Sequence, residues 1–244
     1  MPTSISSRLF IALVVVSGWG LMVKAALHAG SENPVQFVSF LLIACVAARL
    51  KVKLPGVTGN MSVNLPFILV AVAQMSAAEA LAVGCLSTLV QCLPHAPKKL
   101  SWVQLLFNFS NMALAVSATR LLYNSPALGS AIESHALVLA VAAAGFFAVN
   151  SIPVAIVIAL TEGKNPVSAW AAMFQLSYPY FLASAGVAGV VLTVSAHAGW
   201  QVPALLLPLM AGVFYSYRRY FAAAFAQAEL KHGPQSVKAM QAVG

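Results

Sequence analysis

Eight apolar runs alternate with short polar connectors along this chain, at 9–27, 34–50, 63–76, 77–93, 101–123, 135–161, 172–197 and 201–221. About 20 mostly apolar residues are needed for a helix to cross roughly 30 Å of hydrocarbon, so the pattern predicts membrane-spanning helices. The connectors HAGSEN, RLKVKLPGVTGNMS, PHAPKK, NSPALGSAIES and TEGKNP are rich in Gly, Pro, Asn and Ser, the residues that end regular structure. The expected fold is all-α: a polytopic transmembrane bundle over 1–223, then a short cytoplasmic tail over 224–244. In that tail the last helix continues as AAAFAQAELKH until Gly233-Pro234 stops it.

The third and fourth runs are short. Together they hold 31 residues, about 46 Å of helix, where two full crossings need nearer to about 60 Å. The pair 63–93 is therefore either two short spans or a re-entrant hairpin, with its turn QMSAAE below the outer surface. Irregular backbone at that depth is tolerated only where protein or a water-filled cavity covers it, and short segments of this kind point to binding sites in transporters.

Composition sharpens this picture. The chain is 61% hydrophobic and 7% charged, against about 25% charged in a soluble domain, so lipid is its solvent and no soluble domain of useful size remains. The net charge of +8 does not mark a nucleic-acid partner, because the cations sit in small clusters between apolar runs without a basic module. With the amino terminus inside and the runs alternating, Arg8, Arg49, Lys51, Lys53, Lys98, Lys99, Lys164, Arg218, Arg219, Lys231 and Lys238 fall on one side, eleven of thirteen. That bias is the one expected of cytoplasmic connectors. It supports an even number of crossings, both termini in the cytosol, a retained first span and a bacterial inner-membrane location. Cys45, Cys85 and Cys92 lie inside runs, without a CxxC or a Cys/His pair at metal-ligand spacing, and read as reduced, buried small residues.

Three stretches, LPGVTGNMSVNLPFILVAVAQMSAAEALAVGCLSTLVQ, FNFSNMALAVSATRLLY and FAVNSIPVAIVIALTEGKNPVSAW, together resemble the polytopic membrane region that precedes HD-GYP phosphodiesterase or GGDEF cyclase domains in bacterial signalling proteins. The likeness covers roughly 50 to 230 and rests on patterns of small, amide and proline residues. It implies a sensory or scaffolding membrane unit whose last helix leads towards a cyclic-di-GMP enzyme. No HD, GYP or GGDEF stretch occurs in the sequence, so cyclic-di-GMP turnover is not carried over. A looser likeness, in the LPG loop followed by short apolar spans, is to the substrate-binding subunits of vitamin transporters.

The candidate ligand-binding residues are Gln74, Glu79, Gln104, Asn108, Asn111, Asn150, Gln175 and Tyr178. Gln104, Asn108 and Asn111 lie at i, i+4 and i+7, one face of a helix. Such amides either bond neighbouring helices, for about 0.6 to 2 kcal/mol, or line a pocket. Ser76-Ala77-Ala78-Glu79 matches the S-x-x-E capping box, with ligand contact as a second role for Glu79. Arg120 falls nearly opposite the amide stripe and is expected to snorkel to the outer interface, as is Lys24, with Glu79 as a possible ion-pair partner of either. Pro153 frees the Val149 carbonyl, which Asn150 or Ser151 would serve, and Gln175, Ser177, Tyr178 and Tyr180 beside Pro179 repeat the arrangement. Ser184, Ala185, Ala188 and Gly189 form overlapping small-xxx-small pairs that favour close helix packing. His28, His135 and His197 map to the outer side and read as exposed loop histidines.

No G-x-S-x-G, HExxH, paired acids at catalytic spacing or phosphate-cradling glycine loop occurs, so neither an enzyme nor a cofactor is expected. The first functional expectation is a sensor or signalling unit whose partners are the lipid bilayer and a separate cytoplasmic signalling protein or a second copy. The alternative is a small-molecule binding or uptake subunit, with ligand between 63–93 and the proline-containing helices. A purely structural subunit is the third.

Overall fold

The computed structural model describes residues 5–28, 30, 33–53, 60–93, 101–198, 206–216 and 219. Among them stand the helices α1 (Ile5–Leu27), α2 (Pro34–Ala48), α3 (Leu65–Gln74), α4 (Ala77–Cys92), α5 (Trp102–Tyr123), α6 (Pro126–Ala131), α7 (His135–Glu162), α8 (Pro166–Ala198) and α9 (Leu206–Ser216). Every apolar run holds one helix, and α6 is an addition: six residues of the expected connector coil behind Pro126 at the first helical position, where a missing N–H costs nothing. The helix α8 starts six residues ahead of its run, because the Asn165 side chain accepts from the Val167 and Ser168 amides at 2.8 and 3.4 Å and so caps the end. The expected tail at 224–244 and the connector PHAPKK lie outside the described residues.

The chain is a membrane protein, and its helices divide by length. The helices α1, α5, α7 and the Ser177–Ser195 part of α8 are long and apolar enough to cross a bilayer, whereas α2, α3, α4 and α9 are shorter. The eight runs thus resolve into four helices of spanning length and four shorter ones. Lipid contact is written on α1: Ile5, Leu9, Leu13, Val16 and Val23 are exposed, while Ser7, Val14 and Gly18 on the other face are buried. An apolar face of that extent, open to water, would be an association site.

One part of the connector after α2 departs from an all-α reading. β1 (Lys51–Lys53) and β2 (Asn60–Ser62) pair antiparallel, with Lys51 opposite Ser62, and the Val63 amide donates to the Leu50 carbonyl at 3.2 Å. Backbone groups in a returning loop need partners, and the two short strands supply them to each other.

At the centre of the bundle is α5, which touches α1, α3, α4 and α7. Three of these contacts run through glycines. A Cβ at Gly18 would lie 2.5 Å from the Ser110 carbonyl oxygen, one at Gly84 would lie 2.6 Å from the Val116 side chain, and one at Gly145 would overlap Leu122. Small residues let backbones approach closely, and close approach is what drives helix association in lipid. Packed beside α5, α3 and α4 form a hairpin that returns to its start: Arg49, just past α2, donates to the Val90 and Leu93 carbonyls at 3.4 and 3.5 Å, and Lys51 to Leu93 at 3.3 Å. Cations at the carboxyl end of α4 answer its dipole. Partial burial, with Arg49 alongside, pulls the Lys51 ammonium below the ordinary lysine value, Cys92 opposing this to a smaller degree.

The crossing of α1 and α5 yields a paired prediction. Gly18→Leu places its Cβ inside Ser110, whereas at Gly20, two residues on, a Cβ meets nothing within 4 Å. Thermal unfolding of the purified variants in nanodiscs is expected to show Gly18→Leu destabilised by about 3 kcal/mol, in the range of forced overpacking, and Gly20→Leu unchanged. Equal behaviour of the two would contradict the close crossing.

Candidate functional site

The helix α3, LPFILVAVAQ, is apolar on every side, and every residue from Leu65 to Val72 is buried. A helix hydrophobic all round belongs inside. Its ten residues reach about 15 Å, half of the hydrocarbon thickness, so the helix is too short to carry both of its ends to water. The first N–H and last C=O groups of any helix lack partners in the helix itself. Here one such group at each end is met by a side chain from a distant part of the chain.

At the amino end, the Leu65 amide donates to the Tyr180 hydroxyl oxygen at 3.3 Å, and Asn64 donates its Nδ2 to Ser87 Oγ on α4 at 3.0 Å. At the carboxyl end, Arg120 Nη1 donates to the Val72 carbonyl at 3.1 Å and to Met75 at 2.7 Å. This corrects the expectation that Arg120 snorkels to the outer interface. A guanidinium satisfies orphan carbonyls and opposes the negative end of the dipole together, which outweighs what an exposed charge gains. The expectation failed because angular counting fixes the face a residue occupies without showing what packs there.

The next helix begins one residue later with its own cap. Ser76 Oγ accepts from the Glu79 amide at 3.3 Å, while Glu79 Oε2 accepts from the Ser76 amide at 3.0 Å and from the Ser76 hydroxyl at 2.8 Å. The capping box read from S-x-x-E is present. The turn between α3 and α4 therefore carries a cation on its carbonyl side and a carboxylate on its amide side.

The amide stripe on α5 descends from surface to core. Gln104 is exposed, Asn108 is half-buried and donates to Cys92 Sγ on α4 at 3.5 Å, and Asn111 is buried. Asn111 Nδ2 donates to the Asn150 carbonyl at 2.8 Å and to Asn150 Oδ1 at 3.3 Å, so of the candidate residues the structure brings Asn111 and Asn150 together across α5 and α7. Around Pro153 the expected service to Val149 is replaced by other bonds. Ser151 Oγ donates to the Phe147 carbonyl at 2.6 Å and accepts from Trp170 Nε1 at 2.9 Å, tying α7 to α8.

The remaining candidates are apart. Gln74 is exposed at the end of α3, and Gln175 and Tyr178 are exposed on α8. Tyr178 stacks on Phe174 with ring centroids 5.5 Å apart, in a row with Trp170 that lies against Phe147. Tyr180, two residues on and so about 200° round the helix, is the tyrosine that enters the core.

A cleft of about 340 Å³ opens elsewhere, at the ends of three helices: Tyr123 from α5, His135, Ala136 and Leu139 from α7, and Gly189, Leu192 and Thr193 from α8. The sequence marked His135 as an exposed loop histidine and did not single out Tyr123 or Thr193. The available signal was the convergence of His135 and His197 on one side of the bundle. The small residues Ala185 and Ala188 of α8 are buried and Gly189 lies against Ala136, a Cβ there meeting that methyl group at 3.8 Å.

Comparison with known proteins gives one match. The family model MASE9 matches residues 9–197. No curated protein and no solved structure matches the chain.

The clamp on α3 predicts graded losses. Arg120→Leu is expected to destabilise the protein by about 3 kcal/mol, the upper range for bonds to a charged group, Arg120→Lys by less because the charge remains, and Tyr180→Phe by about 1 kcal/mol. Denaturant unfolding in mixed micelles measures all three. An Arg120→Leu protein as stable as the parent would mean that the guanidinium is not holding α3.

Proposed function

The chain belongs to the MASE9 family, a family of membrane-associated sensor regions, and on that premise we propose that it is the input unit of a cytoplasmic signalling output. In this reading it crosses the bacterial inner membrane several times with both termini in the cytosol, and it hands on a change in helix arrangement instead of a chemical product. The output is of the cyclic-di-GMP class. The lysine and arginine bias of the connectors supports the orientation, and so does the meeting of Arg49 with the carboxyl end of α4, which brings a residue that precedes the hairpin to the end of its second helix.

A single observation carries the proposal: the match runs from 9 to 197, through the helix that joins the cleft to the start of α3. On α8, Gly189, Leu192 and Thr193 line the cleft, Tyr180 holds the start of α3, and the chain then leads to α9, which packs on the core through Leu206, Met210 and Phe214. Movement of α8 against α7 would therefore be felt both at the buried hairpin and at the last described helix. A sensor needs two arrangements of such an element, differing by a few kcal/mol.

The test joins the chain to a diguanylate cyclase domain at its carboxyl end and reads cyclic-di-GMP in cells. Breaking the clamp with Arg120→Leu or Tyr180→Phe is expected to change output at least threefold, with Gly20→Leu as the neutral control and membrane insertion checked for each. Output indifferent to the clamp, in fusions that insert and fold, would overturn the proposal.

A further inference from the structure

The cleft at the ends of α5, α7 and α8 has a divided lining. Leu139, Leu192 and Gly189 give it an apolar floor, and Tyr123, His135 and Thr193 place polar atoms around it. Thr193 already donates its hydroxyl hydrogen to the Gly189 carbonyl at 3.0 Å. By contrast, the Tyr123 hydroxyl and the His135 ring make no hydrogen bond among the described residues, so both keep N–H or O–H capacity to donate. No Asp, Glu, Lys or Arg lines the space. A volume of about 340 Å³ falls at the lower end of small-molecule sites, which are typically apolar with a few placed polar groups.

These features select a ligand by chemistry. A permanently charged head would find no fixed counter-charge among the lining residues. A pure hydrocarbon would leave the Tyr123 and His135 donors unused. An uncharged carbonyl oxygen uses both, because it has two lone pairs and needs no counter-ion, and the apolar floor takes the hydrocarbon body attached to it. We infer that the cleft bounded by Tyr123, His135, Leu139, Gly189 and Thr193 is a binding site for a small uncharged amphiphile with a carbonyl head and a hydrocarbon body. The sensor reading is needed only for the use of this site, since occupancy would bear on α7 and α8 where they meet at Ala136 and Gly189.

The experiment uses the full chain in nanodiscs, labelled by light with a ten-carbon alkyl ketone that carries a diazirine, in competition with 2-decanone, decanoate or decane, followed by peptide mapping. Labelling is expected to saturate, to fall on 123–139 and 189–193, and to yield to 2-decanone at least tenfold more readily than to decanoate or decane. Gly189→Met, which fills the space, should abolish it. Tyr123→Phe and His135→Ala, which leave the helix contact at Gly189 intact, should each weaken it severalfold. Labelling spread over all lipid-facing helices and unchanged in the variants would show partition into lipid only and overturn the site, and equal competition by decanoate would overturn the uncharged class. In the cyclase fusion, saturable labelling with no change of output on adding 2-decanone would leave the site standing and remove its role as the sensor input. Absent labelling in a fusion that still answers to Arg120→Leu would remove the site and leave the sensor reading standing.

Discussion

A helix end buried in a membrane protein must find hydrogen-bond partners in the protein, because the surrounding lipid offers none. The arrangement of α3 follows from that constraint. Its ten residues are too few to carry both ends to water, so the chain supplies a tyrosine hydroxyl at one end and a guanidinium at the other. Tyr180 belongs to α8 and Arg120 to α5, and satisfying α3 therefore fixes how those two long helices stand beside it. The Arg120 contact also explains why a chain with so few charges keeps an arginine within an apolar run.

The same helix that supplies the guanidinium organises the rest. Gly18 brings α1 against the α5 backbone at Ser110, Gly84 and Gly145 make room for the Val116 and Leu122 side chains of α5, and Asn111 adds an amide link to Asn150 on α7. Where lipid tails are as apolar as leucine, burial alone cannot hold helices together, and close packing with a few polar links takes over. The aromatic row on α8 and the Trp170–Ser151 bond do for the α7–α8 pair what the glycines do around α5. Among the described residues, these polar links sit at helix crossings and helix ends.

Much of this was legible in the residues. The positions of the helices followed from hydropathy, the S-x-x-E cap of α4 from local chemistry, and the shortness of 63–93 from simple length. Those features depend on near neighbours in the chain. Arg120, Tyr180 and the cleft were not legible, since each depends on which helix packs beside which: Arg120 meets carbonyls 45 and 48 residues away, and Tyr180 an amide 115 residues away. Tyr178 and Tyr180 flank Pro179 alike in sequence, and only the orientation of α8 decides which one enters the core. The short pairing of β1 and β2 was missed for the same reason, its six residues being read as loop.

Amide hydrogen exchange across α3, compared between the parent protein and Arg120→Leu in the same nanodiscs, addresses the clamp most directly. In the parent, amides from Leu69 to Gln74 should exchange as slowly as those in the middle of α5. In the variant they should exchange at least tenfold faster while the α5 amides hold their rate, because one end of a short helix has been released. Equal rates for α3 in the two proteins, or fast exchange of α3 in the parent itself, would contradict a short buried helix held by Arg120.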